Sequence, residues 1–300
     1  MSGPLPAPGA SRAGTSEAVR DALWRVGLVS RLTSRRPSVL RAVVVGVNTS
    51  PNFVAPSGHL AVVDPVARAI VREIDLGSQP DAVDVTSPGG AFPWYIAVAI
   101  ENERDEDLGD GAPPQLPPGK VSIVTIDGPG ALADPSAWTV RDVTMTGLDG
   151  CAFPDDPEPE YVVIDPENER ALVTLQENNC HAVIDLAGAS VLHSFDAGAV
   201  ALTDIDMSMD GVISQTQATN GDGLKREPDG AAWIGGTGLF ATANEGDLAG
   251  GSRGWTVFNA TGGVVFDSGN ALELEAVRIG HLPEARSGKK GNEPENIGRV

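Results

Sequence analysis

Basic residues are the first shortage in this 300-residue sequence: 21 Lys and Arg stand against 41 Asp and Glu, a formal charge of -20. A molecule so charged repels nucleic acid and anionic membrane and attracts cations, which excludes a DNA- or RNA-binding role. Long apolar runs are also missing. No stretch approaches the roughly 20 residues of a transmembrane helix, and no signal-peptide core follows a charged start. Cysteine is limited to Cys151 and Cys180, neither in a metal-ligand spacing, and the two are expected as buried thiols rather than a disulfide. Of four histidines, His59, His181 and His193 adjoin apolar runs and are expected to be structural. Nucleophile-elbow, zinc-protease, Walker and dinucleotide-binding signatures are absent.

What remains is 41% hydrophobic, enough for a buried core. Charge is unevenly spread. Residues 1 to 41 carry seven Arg against Glu17 and Asp21, a net of +5. Residues 1–40 therefore read as a separate segment: a disordered Pro/Gly/Ala/Ser tail, then a short amphipathic helix with Val19, Ala22, Leu23, Val26 and Val29 at helical spacing behind Ser16. Residues 41–300 read as the folded unit.

That unit repeats itself. QPDAVDV (79 to 85), EPEYVVI (158 to 164), EPDGAAWI (227 to 234) and EPENIGRV (293 to 300) share a Gln/Glu-Pro-acid opening followed by a strand-like run. Each of the first three is followed by a second run ending in acids and amides, YIAVAIENE, ALVTLQENN and LFATANEGD, and then by third and fourth apolar runs. Four short strands per unit, punctuated by Gly, Asp, Asn and Pro, predict an all-β fold, a β-propeller. A sandwich is the structural rival. An earlier blade supplies RAVVVGVN, HLAVVD and IVREIDL but lacks a recognisable first strand, and EPENIGRV opens a fifth. The expectation is an incomplete propeller on a truncated chain: about four blades plus one strand. Spacings of 66 to 79 residues between the motif prolines exceed the ~40 to 50 of a simple blade, so long inserted loops, where function usually resides, are expected.

Antiparallel order puts the start of each first strand and the end of each second strand on one face. The acids there are Asp81, Glu101, Glu103, Glu160, Glu177, Asp229, Glu245, Asp247 and Glu295. Carboxylates so gathered repel unless a cation or a basic side chain intervenes. A divalent cation, calcium, fits this chemistry, since it takes about six to eight oxygen ligands, and Asn102, Asn178, Asn179, Asn244 and Asn292 offer amide oxygens at the same places. Strand-end acids that merely cap turns are the plainer alternative. Basic residues interrupt the face at Lys225, Arg226, Arg253, Arg278, Arg286, Lys289 and Lys290. Arg226 or Arg253 could steady a phosphate polarised by the metal, with Glu245 as a further catalytic candidate.

SGHLAVVD, IDLGSQPDAV, AIENERDED, FPDDPEPEYV, VTLQENN, REPDGAAWI, TANEGD, GGSRGWTVF and KGNEPE, in this order, resemble the choice-of-anchor I type of bacterial β-propeller proteins, relatives of esterase-like phytase domains and of mesenchyme-specific cell-surface glycoproteins. The resemblance runs from about Pro51 to Glu295, and departs from the family at Leu274 and Asn296. It implies an exported or surface-displayed propeller with more blades than this chain can hold, and places conserved-type acids, the candidate metal ligands, at Asp81, Glu101, Glu160, Glu177, Asp229, Glu245, Asp247, Glu293 and Glu295. A calcium-dependent phosphoric ester hydrolase acting on a phosphorylated small molecule is the activity expected. The rival is a non-catalytic surface propeller contacting a protein or glycan, with a quinone-dependent dehydrogenase a distant third.

Overall fold

The computed structural model describes residues 25–27, 42–86, 91–165 and 170–298. Sixteen of its strands form four sheets of four, each a simple antiparallel meander. Blade one holds β1 (Arg25–Gly27), β2 (Val43–Asn48), β3 (Gly58–Asp64) and β4 (Ala69–Asp75). Blade two holds β5 (Pro80–Val85), β6 (Trp94–Ile100), β7 (Lys120–Ile126) and β8 (Thr139–Val143). Blade three holds β9 (Pro159–Ile164), β10 (Arg170–Leu175), β11 (Cys180–Asp185) and β12 (Ser190–Asp196). Between blades three and four lie two small ladders, β13 (Ala199–Val200) with β16 (Leu224–Lys225) and β14 (Thr203–Ile205) with β15 (Gln217–Ala218). Blade four holds β17 (Ala231–Ile234), β18 (Leu239–Ala243), β19 (Trp255–Asn259) and β20 (Val264–Asp267). A short helix, α1 (Pro129–Ala133), precedes β8, and α2 (Ala271–Arg278) follows blade four. The inner strands β5, β9 and β17 lie in succession, so the blades form an open arc of propeller type.

The period-2 pattern explains why blades stack. In β6, Ile96, Val98 and Ile100 join Val44, Leu60 and Val62 of blade one, while Tyr95, Ala97 and Ala99 join Val162, Val173 and Leu175 of blade three. A strand buried on both faces must be apolar at every position, which is why WYIAVAI shows no alternation. Leu172 and Val183 then meet Trp233, Phe240 and Phe258 of blade four, so each interface is its own core. Outer strands have only one neighbour, and β4 and β8 are largely exposed.

Three sequence expectations change. The first strand of blade one is present, as Arg25–Gly27 paired with β2 through Val26 and Val45, so Val26 sits in a strand rather than the expected helix. The rest of that helix, with Ser16, lies outside the described residues. Cys151 and Cys180 form a disulfide, with Cα atoms 5.1 Å apart, because antiparallel return brings the loop before β9 to the start of β11. The inserted loops are themselves structured. Arg253, fully buried, donates to Glu273 of α2 (2.8 Å) and to the carbonyls of Asp206 (2.6 Å) and Ser287 (2.5 Å), fastening both inserts around blade four to β19. The last repeat motif lies beside blade four, where Gly230 N donates to Glu295 O at 2.9 Å.

Candidate functional site

The recurring amide-and-acid motif has a local structural cause. Gln79, just before the Pro that opens β5, donates its backbone N–H to Asn102 Oδ1 (3.0 Å), and Glu158, before the Pro that opens β9, donates to Asn178 Oδ1 (2.9 Å). In both blades the amide at the end of the second strand clamps the start of the first. Asn179 does this across blades, accepting from Glu227 N (2.9 Å). Asn102 and Asn179 hold φ of 56° and 47°, a left-handed conformation that Asn tolerates better than most residues. Asn244 is engaged by Thr242, Ser252 and Thr256. The amide oxygens expected to ligate a cation at Asn102, Asn178, Asn179 and Asn244 are thus occupied in holding strands together.

These clamps set the acids. Asp81, Glu101, Glu160, Glu177 and Asp229 are all buried on one face of the arc, as antiparallel order predicts. Burial raises Glu101 well above the ordinary carboxylate range, and the charges of Asp81, Glu177, Glu103 and Glu158 raise it further. Glu160 is raised the same way by burial, then by Glu101, Asp81 and Asp229. Two buried members escaped sequence reasoning, Glu158 and Glu227, each the first letter of its repeat motif. Glu158 is pushed up to about 9, by burial and then by Glu177, with which it shares a hydrogen bond that requires a proton. Glu227 instead accepts the backbone N–H groups of Asp247, Ala249 and Gly250, which wraps the TANEGD turn around one carboxylate.

The intervening cation is Arg104, the residue after AIENE, which sequence reasoning also missed. Only 5% exposed, its guanidinium donates to Glu177 (2.9 Å), Glu158 (3.5 Å), Asp247 and the carbonyl of Gly111 (2.7 Å). It thereby joins blades two, three and four. Burial pulls its pKa down, but Glu177, Asp247 and Glu158 together hold it above the ordinary value. Burial likewise tends to raise Asp247, yet hydrogen bonds from Lys290 and Arg104 keep it below the usual range. Among the described residues, no three Asp, Glu, His or Cys side chains are arranged to hold a metal ion.

The three catalytic candidates do not converge. Arg226 donates to Thr256 (3.0 Å), Asp267 (3.0 Å) and Ala197 O (2.6 Å), and Arg253 is locked to Glu273, so both guanidinium groups are internal braces. Glu245 accepts from Gln176 (3.1 Å) and is raised by burial. Glu293 pairs with Arg286 (2.8 Å), and Glu295 is exposed. A cavity of about 520 Å³ on this face is lined instead by Arg104, Arg286, Lys289 and Lys290 together with Glu106, Asp110 and Asp247.

The choice-of-anchor I domain family model matches residues 37–250. No curated protein matches the sequence. Among solved structures the chain is similar to Kuenenia stuttgartiensis hydrazine synthase, at 15% identity and a TM-score of 0.35, over 54% of this chain and 39% of that one. It is similar to the β-propeller domain of Myceliophteria thermophila Cps50 (Swd1), at 10% identity and 0.37, over 74% and 59%. A functionally unknown Desulfotomaculum acetoxidans protein matches at 11% and 0.32, over 75% and 67%. The chain therefore spans well under two thirds of the first two.

Proposed function

The chain belongs to the choice-of-anchor I domain family, and we propose that it is a surface-associated, non-catalytic binding propeller whose ligand face carries the acids and the inserted loops. The observation that carries this reading is the commitment of Arg226 and Arg253 to internal pairs, which leaves neither guanidinium free to steady a phosphoryl group. The Cys151–Cys180 disulfide supports an oxidising, extracytoplasmic setting. The test is hydrolysis of p-nitrophenyl phosphate with millimolar calcium by the wild-type protein and by Glu245→Gln. Neither is expected to exceed background; wild-type turnover that the variant loses would replace the binding reading with a metal-dependent phosphoesterase.

A second reading, a bound divalent cation, is favoured by the excess of buried carboxyls over the single charge of Arg104. Arg104 offsets one charge among these acids, at Glu158, Glu177 and Asp247. On this reading millimolar calcium raises the melting temperature by several degrees, an effect abolished in Glu177→Gln; an unmoved melting temperature removes the cation.

A further inference from the structure

The cavity around Arg104 has a neighbour of opposite character. A second hollow of about 320 Å³ is lined by Asn52, Phe53, Val54, Leu108, Pro114 and Leu116, among others, and Arg104 lines both. Phe53, Val54, Leu108 and Leu116 are 41%, 74%, 56% and 64% exposed, an unusual concentration of large apolar side chains on loops of so acidic a protein. The wall between the hollows is the insert that begins at Arg104, and it is held in shape. Gln115 and Asp105 exchange two hydrogen bonds of 3.0 Å, Gln115 N donates to Asp156 (2.6 Å), and Arg104 Nε anchors Gly111 O.

The charged hollow gathers four basic side chains against three lining carboxylates in a chain of net charge -20. Arg286 and Lys290 are paired with Glu293 and Asp247, whereas Lys289 is exposed and has no ion pair among the described residues. An anion entering here would meet Lys289 directly and share Lys290 with Asp247. A ligand that is only anionic would leave the apolar shelf wet, and one that is only apolar would leave Lys289 unanswered.

We propose that the two hollows form one site for a soluble small molecule that joins an anionic group to an apolar tail: the anion at Lys289 and Lys290, the tail against Phe53, Val54, Leu108 and Leu116. Charge complementarity and the shared wall fix this occupant, and the inference rests on the binding-propeller reading. Octyl phosphate below its micelle concentration is the probe, titrated calorimetrically into the full 300-residue chain beside inorganic phosphate and octyl glucoside. Octyl phosphate is expected to bind one-to-one, at least tenfold tighter than either control. Lys289→Glu should weaken it at least tenfold while leaving octyl glucoside unchanged, and Val54→Ser should weaken it severalfold; both positions are exposed, so both variants should fold. Equal binding of octyl glucoside, equal binding of inorganic phosphate, or indifference to Lys289→Glu overturns the site. Co-sedimentation with phosphatidylglycerol vesicles that Lys289→Glu abolishes would overturn the soluble ligand in favour of a membrane surface. Failure here without phosphatase turnover removes only the site, whereas turnover with intact octyl phosphate binding removes only the non-catalytic reading.

Discussion

His181 shows how a single side chain takes its role from its neighbours. It lies fully buried between Phe195, Phe240 and Phe258, with ring centroids at 5.1, 5.4 and 4.9 Å, and neither ring nitrogen has a hydrogen-bond partner. Burial, and then the charge of Arg226, pulls its pKa down to about 3 from an ordinary 6.5. Below pH 6.5 the unfolded chain takes up a proton that the folded chain refuses, so stability falls as pH drops toward 3. His181→Phe fills the same space with an apolar ring. It is expected to raise stability by about 1 kcal/mol at pH 7, and by more at pH 5, in urea denaturation. The structural role of His181 was legible from its apolar surroundings in HAVIDL. That of Arg104 was not, because a lone basic residue in ENERDED reads as surface, and only the approach of Glu177 and Asp247 makes it the centre of a network.

The Pro of the first two repeat motifs belongs to an interface as well as to a strand. Pro80 packs against Gly58 at the start of β3, and Pro159 against Gly119 just before β7, so a proline of one blade seats on a glycine of the blade before. A Cβ at Gly119 would stand 2.5 Å from Pro159 Cδ and 2.4 Å from Ile100 O, the latter unable to yield without moving β6. Gly119→Ala is therefore expected to cost about 1 to 3 kcal/mol, read as a lowered denaturation midpoint. The disulfide acts at this scale too. It closes a span of 29 residues that includes β9 and β10, and in the chain-entropy account such a loop contributes about 3 to 4 kcal/mol. Cys151→Ser should lose that amount, and reductant should take the wild-type protein to the same midpoint. Strand order was legible because alternation and turn residues are local signals. The disulfide was not, because two cysteines 29 residues apart say nothing of distance until β9 to β11 are paired.

Over the whole molecule, the surplus of buried carboxyls makes stability depend on pH in a definite sense. Burial, and then the charge of Glu177, raises Glu158 to about 9, and burial with the charge of Asp247 holds Glu177 at about 7 against the pull of Arg104, both from an ordinary 4.5. Between pH 4.5 and 9 the folded chain keeps protons that the unfolded chain releases, so stability falls as pH rises through that window, by at most about 1.4 kcal/mol per pH unit for each proton held. Denaturation from pH 6 to 9 should show this decline, and Glu158→Gln, which keeps a donor toward Glu177, should flatten its upper part. By itself the sequence determined the propeller class, the four-strand order of three blades and the gathering of acids on one face, since period-2 burial, turn residues and antiparallel order are all properties of chain order. Tertiary structure alone decided what neutralises those acids, where the first strand of blade one comes from, and that the offered phosphate clamps are braces. The reason is distance: Arg104 meets Glu177 and Asp247 across 73 and 143 residues, and a charge pair so remote in the chain exists only once the blades have stacked.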